Sequence, residues 1–318
     1  MEMRQLRYFV QIVESGSLAK ASRQLFIAQP ALSQHMARLE HEVGKSLLVR
    51  SSRGVAPTEN GSALYQHAKF LLRQLEETVA IARQEPAALS GRVTLGVGPT
   101  TACQLGVPFM EHLAAAYPAV MLNIIEGASG QLEYMVRMGQ LDMAILFWPD
   151  AASDLQVEPL AEEELFVIVP RNSALVPQDQ EALTLRQVSQ LPLVLPSLRH
   201  ALRQRRIELE FKRAGLPLDP IAEVDSLPLL MNWVERRNAA TIQPYAAIRA
   251  AGNEPQRWRT LRIADVRVVR PNFLYALPDG KLSRVAAAVR DEMRLVVKRL
   301  VESGEWQGVT LPAESAAA

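Results

Sequence analysis

Gln29, Ser33, Gln34, His35 and Arg38 crowd into ten residues and share a short stretch with the apolar series Leu32, Met36, Leu39, which has helical spacing. A helix that buries the leucines turns the polar set outward. Glutamine can pair with the edge of adenine, arginine with guanine or a phosphate, and serine with several acceptors. Twelve residues beyond Arg38 come Arg50 and Arg53, placed for phosphate or minor-groove contact. His35 has no second metal-ligating residue at i+3 or i+4, so it reads as a surface or phosphate-contacting histidine rather than a metal ligand.

A second chemistry follows further on. Thr100 and Thr101 come after VTLGV, Ser129 after VMLNIIEG, and Ser197 after PLVLP, each where a strand gives way to a helix. Hydroxyls beside the free N–H groups of a helix start can receive a carboxylate or another oxyanion. Arg199 and His200 add positive charge at the third point, and Phe147 an apolar wall. Taken singly, each Ser or Thr reads as a plain helix cap. Catalytic patterns are missing: the chain has no GxxxxGK[ST], GxSxG, HExxH or paired CxxC, and GVGP lacks the third glycine of a dinucleotide fingerprint. The single cysteine, Cys103, excludes an intrachain disulfide, fits a reducing cytoplasm and reads as a small buried residue. An enzyme is therefore not expected, and neither a metal nor a cofactor is implied.

Three short helices must position the first set. Leu6, Phe9, Val10 and Val13 give helix one its buried face, and Gly16 ends it. Ser17 caps a second helix with Leu18, Ala21, Leu25 and Phe26 at helical spacing, and the small Ala21 allows close helix approach. Pro30 opens the third helix. Leu47–Val49, a turn at Arg53 and Gly54, and Val55 read as a two-stranded wing. Thr58 then caps a long helix, whose Leu64, Ala68, Leu71, Leu75, Thr78 and Ala82 form a seam suited to pairing with a second copy.

The 318 residues, 48% hydrophobic and 22% charged, suffice for about two globular domains. No apolar run approaches a membrane span and the start lacks a secretory signal, so a cytoplasmic protein is expected. Net charge is +1, yet residues 1–58 carry eight Lys/Arg against four acids, a basic head suited to a polyanion.

The run LRYFVQIVESGSLAKASRQLFIAQPALSQHMARLEHEVGKSLLVRSSRGVAPTENG resembles the winged helix-turn-helix of LysR-type transcriptional regulators. The motifs AxxL, QPALSxxxxxLE and LLxRxxRGVxxTxxG stand in register over residues 4–61, with Pro57 in place of a usual leucine and Ala28 in place of a frequent capping serine. The resemblance implies DNA contacts by Gln29, Pro30, Ser33, Gln34, Arg38, Arg50 and Arg53. It also implies a homodimer or homotetramer on promoter DNA, with RNA polymerase as a further partner. The fold class implied is α/β with an all-α, winged-helix N-terminal domain. Residues 1–58 form that domain, 59–86 a linker and dimerisation helix, and 87–91 a hinge.

Two lobes like those of periplasmic solute-binding proteins would follow, one from 92–162 plus 267–303 and the other from 163–266. The segment 304–318 is read as a C-terminal tail, and its last eight residues, LPAESAAA, lack periodicity and are expected to fray. The resemblance brings the three caps together on one interlobe cleft, which would take a small anionic, carboxylate-type effector. Where the family usually shows Gly-x-Gly, this chain has Arg237 and Ala239. Two other readings are a solute carrier, which has no use for the first 58 residues, and an architectural DNA-binding protein, which has no use for the long α/β region.

Overall fold

The structure is a computed structural model and describes the chain apart from residues 52–53, 83–88, 149–154, 197–201, 253, 279–281 and 313–318. Two compact units are present, one formed by the N-terminal part of the chain and a larger one formed beyond it.

In the N-terminal unit, helices α1 (Met3–Ser15), α2 (Leu18–Leu25) and α3 (Gln29–Val43) precede a hairpin of β1 (Leu48–Ser51) and β2 (Gly54–Pro57), then α4 (Glu59–Ala82). Phe9, Ile12, Leu18, Ala21, Leu32, Met36, Leu39, Leu47 and Leu48 form its core. Gly16 closes α1 in the left-handed conformation, and the Ser17 hydroxyl accepts the Lys20 N–H to open α2. Phe26 departs from the expected inward position. It occupies the left-handed C-cap of α2 and is 96% exposed. The helix ends one residue before the apolar spacing does, so that spacing no longer governs where Phe26 points.

Thr58 caps α4 as expected, accepting the Gly61 N–H at 2.9 Å. Part of the predicted seam is used within the chain: Ala68 is fully buried with Leu6 and Val10 of α1, and Leu64, Tyr65 and Leu72 pack beside them. Leu71 remains exposed. Of the expected hinge at 87–91, residues 87 and 88 lie outside the described residues.

The larger unit opens with β3 (Gly91–Val97), α5 (Pro99–Ala116), β4 (Val120–Glu126), α6 (Ser129–Arg137) and β5 (Met143–Leu146). The fifteen-residue strand β6 (Gln156–Pro170) comes next. β7 (Ala182–Leu183), α7 (Leu185–Val188), β8 (Val194–Leu195), α8 (Leu202–Arg213), β9 (Ala222–Glu223), α9 (Leu227–Arg237), β10 (Thr241–Pro244) and β11 (Trp258–Ile263) follow. The chain ends on β12 (Val269–Ala276), α10 (Arg284–Glu302) and β13 (Val309–Thr310).

The sheet runs β4-β3-β5-β12-β6-β11-β7. β4, β3 and β5 are mutually parallel, as are β11 and β7, whereas β12 runs antiparallel to both β5 and β6. The sheet is thus mixed, because the chain re-enters the first lobe from the second through β12 instead of through another strand–helix–strand crossover.

β6 joins the lobes. Its first part, to Glu164, pairs with β12 and β13, and its last part, from Leu165, pairs with β10 and β11. The chain crosses back at 264–268, where Leu165 N–H donates to the Val268 carbonyl at 2.9 Å. One core packs α5, α6 and α10 on the first lobe's strands; a second holds Val167, Val169, Ile207, Phe211 and Leu261. The part of the tail before LPAESAAA is anchored: Trp306 is 1% exposed, and Val309 and Thr310 pair with Glu163 and Glu162 of β6, while residues 313–318 lie outside the described residues. Its apolar anchor, Trp306, holds it there.

Candidate DNA interface and candidate effector site

α3 presents Gln29, Pro30, Gln34 and Arg38 to solvent, with Ser33 and His35 half-buried. Ala28 stands at the N-cap and makes no side-chain cap bond. His35 packs edge-on against Tyr8, ring centroids 5.2 Å apart, so part of its surface belongs to the fold. Arg38 and Arg50 are exposed and have no carboxylate partner among the described residues, which leaves their donors available for phosphate or base edges. Arg53 lies outside the described residues.

Wing and helix are locked together by a residue that sequence reasoning did not single out. The Glu40 carboxylate accepts the backbone N–H groups of Leu47 at 2.7 Å and Leu48 at 3.1 Å, fixing the start of β1 to α3. From the other side, Val55 N–H donates to the Gly16 carbonyl and Thr58 N–H to the Leu47 carbonyl. Two glycines permit these approaches. A Cβ at Gly54 (φ +125°) would lie 2.6 Å from the Gly16 oxygen, and one at Gly61 would lie 1.9 Å from the Leu47 oxygen. The visible signal was the motif itself, LE followed by RGV and TxxG.

In the larger unit, the parallel strands end beside the lobe crossover. Gly98 precedes α5, Pro99 occupies its first turn, and Thr100 and Thr101 follow, both buried. Thr100 Oγ1 accepts a hydrogen bond at 3.0 Å from Nη2 of Arg270, an arginine only 2% exposed at the start of β12. Arg270 also pairs with Glu163 of β6, whose carboxylate accepts from Asn272 Nδ2 at 3.0 Å and Trp306 Nε1 at 3.1 Å. The Arg270 guanidinium stacks 3.9 Å from the centroid of Phe147, just beyond β5. Burial lowers the pKa of Arg270, and the carboxylate of Glu163 opposes that shift.

Two of the sequence-named residues, Thr100 and Phe147, therefore meet one buried charge, and Thr101 is buried next to Thr100 on α5. Ser129 opens α6 half-buried and is not part of this hydrogen-bond network. Ser197, Arg199 and His200 lie outside the described residues. Arg270 and Glu163 were missed because lone charges in strands read as solvent-facing. The sequence trace of Arg270 is an arginine between Val269 and Pro271, just ahead of the apolar FLYAL. Arg237 belongs to the surface: it is exposed at the end of α9 with its guanidinium 5.5 Å from the Trp233 ring centroid, and Ala239 is buried. Cys103 packs in the second turn of α5 against the apolar cluster around Phe166, and burial raises its thiol pKa. The described residues contain no cluster of potential metal ligands and no helix able to cross a membrane.

A winged helix-turn-helix with free arginines, followed by a two-lobed α/β unit with a polar site at the crossover, defines a DNA-binding regulator with a sensor domain. Comparison with known proteins agrees. Residues 3–62 match the bacterial regulatory helix-turn-helix protein, lysR family, and residues 86–297 match the LysR substrate binding domain. The chain belongs to the LysR family, whose members are transcription regulators and not enzymes.

It is 33% identical over 98% of its length to the nitrogen assimilation regulatory protein nac of Klebsiella aerogenes, covering all of that protein. Identity is 30% to the Escherichia coli protein of the same name, again over 98% of this chain and 100% of the relative. In fold it is similar to a full-length OxyR variant from Pseudomonas aeruginosa, with a TM-score of 0.74 at 19% identity, covering 94% of this chain and 95% of that one. Full-length CbnR complexed with its target DNA superposes with a TM-score of 0.54 at 20% identity, covering 93% of this chain and all of CbnR.

Proposed function

We propose that the protein binds promoter DNA as a homodimer or homotetramer, reading two half-sites of an interrupted palindrome through Gln29, Ser33, Gln34 and Arg38. Pro30 and His35 flank that set, and Arg50 and Arg53 of the wing fix the register through phosphates. The observation that carries this reading is the outward, unpaired presentation of Gln29, Gln34, Arg38 and Arg50 on a wing and helix locked by Glu40. Leu71 of the α4 seam and Val79, an exposed apolar residue of the same helix outside that seam, support pairing with a second copy.

In this reading a small carboxylate-type effector sits between the lobes at Thr100, Thr101 and Phe147, with Ser129, Ser197, Arg199 and His200 as further contacts. Its binding shifts the population of dimer–dimer geometries on DNA and so alters DNA bending and contact with RNA polymerase. The test is a footprint of the purified protein on DNA upstream of its own gene, with excess competitor and a salt series. A bounded site with inverted half-sites that survives competitor is expected; failure to bind any DNA would overturn the proposal.

A further inference from the structure

We infer that Phe26 reads DNA sequence: its ring packs on the 5-methyl group of a thymine beside the base pair that Gln29 reads. This rests on the DNA-binding reading above and adds an apolar contact to a set that is otherwise polar. The side chain of Phe26 is 96% exposed, more than any other large hydrophobic residue among those described. Its φ is 55°, a left-handed conformation that disfavours bulky side chains. The only other described non-glycine residue with a positive φ is Asn238, a type that tolerates it.

A lone exposed apolar residue is ordinary on a protein surface. Nearly complete exposure of a phenyl ring at a position that favours glycine is not. Helices α1 and α3 close in the same conformation on Gly16 and Gly44. At α2 the cap forms on Phe26 instead, whose N–H donates to the Arg23 carbonyl at 3.3 Å, while Ile27 N–H donates to the Ser22 carbonyl at 3.0 Å. Leu25 and Ile27 on either side are half-buried, so the fold sets this one ring in water and draws almost no burial from it.

The surroundings point to the partner. Phe26, Ala28, Gln29 and Pro30 are all exposed and lead directly into the recognition helix. Three residues of chain span at most about 11 Å, so the ring lies within reach of a groove that Gln29 enters. Residues 15–39 contain no Asp or Glu and carry Lys20, Arg23 and Arg38. Lys20 and Arg23 are exposed and have no carboxylate partner among the described residues, a rim suited to a phosphate backbone. A phenyl ring has no hydrogen bond to offer a phosphate or a base edge. The apolar group presented in the major groove is the thymine methyl, on which phenylalanine can pack. The adenine edge that glutamine reads comes with a thymine on the opposite strand, so both contacts favour A·T pairs within each half-site.

The test is a binding titration of the full-length protein on the duplex protected in its upstream footprint. Each thymine of a half-site is replaced in turn by deoxyuridine, which lacks only the methyl. One such replacement should weaken wild-type binding about fourfold, the loss of one buried methyl. Phe26→Gly should weaken binding to the unmodified duplex about tenfold and remove the effect of that deoxyuridine. Glycine suits the left-handed cap, so the thermal midpoint of the N-terminal unit should hold or rise, which separates a lost contact from lost folding. Phe26→Asn, which also suits the cap, should behave alike. The salt slope should not change, because an apolar contact releases no counterion. The inference is overturned if every deoxyuridine is neutral for the wild type, or if the effective one stays effective in both variants; DNA binding by the polar set then still stands. Normal DNA affinity with lost transcriptional response in both variants assigns Phe26 to a protein partner and also overturns it. If the wild type binds no DNA at all, the DNA-binding reading itself fails and takes this inference with it.

Discussion

Replacing Glu40 by alanine removes the acceptor of the Leu47 and Leu48 N–H groups, which hold the wing to the recognition helix at 2.7 and 3.1 Å. A hydrogen bond to a charged group contributes roughly 1.5–3 kcal/mol. Two of them set an upper bound of about 6 kcal/mol, and because Glu40 is only half-buried, water can reach the freed amides and recover part of it. A loss of about 2–3 kcal/mol follows, and for a domain of 60–100 residues each kcal/mol shifts the midpoint by roughly 4–8 °C.

The transition of the N-terminal unit, followed by calorimetry on the full-length protein, should fall by on the order of 10–20 °C. Hydrogen exchange at Leu47 and Leu48 should accelerate, and DNA affinity should drop about tenfold, the equivalent of 1.4 kcal/mol, as the wing arginines lose their register. Glu40→Gln keeps an acceptor and loses the charge, so its cost is about 1 kcal/mol. The reasoning is refuted if alanine lowers the midpoint by less than about 3 °C, or if glutamine costs as much as alanine.

Other perturbations probe the same logic. Arg50→Ala or Arg53→Ala should weaken binding to all DNA sequences and reduce the salt slope by about 1, whereas Gln29→Ala should relax sequence preference; identical specificity profiles would refute that division of labour. Glu163→Leu alone should cost about 3–5 kcal/mol in chemical denaturation by stranding Arg270, while the double variant with Arg270→Met should cost less than the sum of the singles. Trp306→Ala should destabilise the larger unit by about 3–5 kcal/mol, and an effect below 1 kcal/mol would mean that the C-terminal segment is not anchored. The raised thiol pKa of Cys103 keeps it protonated near neutrality, so iodoacetamide should label it more slowly than free cysteine at pH 7.5. Because the folded pKa lies above the unfolded one, that contribution to stability is complete below the ordinary thiol pKa and is lost as pH rises through the folded value; rising stability above pH 9 would contradict the assignment.

The recognition helix, its caps and the wing were legible because each is local. Ala21 between helices, Ser17 and Thr58 at helix starts, and Gly54 at a turn state their roles within a few residues of sequence. Phe26 was misread because apolar periodicity cannot tell that a helix stops one residue early. β10 and β11 went unseen, as did the first half of β6, where Glu158, Glu162, Glu163 and Glu164 hide a strand that is buried in places. Alternation shows only when one face is uniformly apolar, and β6 passes from one lobe's surroundings to the other's along its length.

The sequence by itself determined the family and the two-part architecture, since these rest on short-range spacing and on motifs a few residues long. Only the tertiary structure decided that Arg270, Glu163, Asn272, Thr100 and Trp306 meet. They come from positions as far apart as 100 and 306, and a buried ion pair looks in sequence like two surface charges until the fold removes its water. Which polar groups burial brings together is therefore decided by packing, which no local spacing encodes.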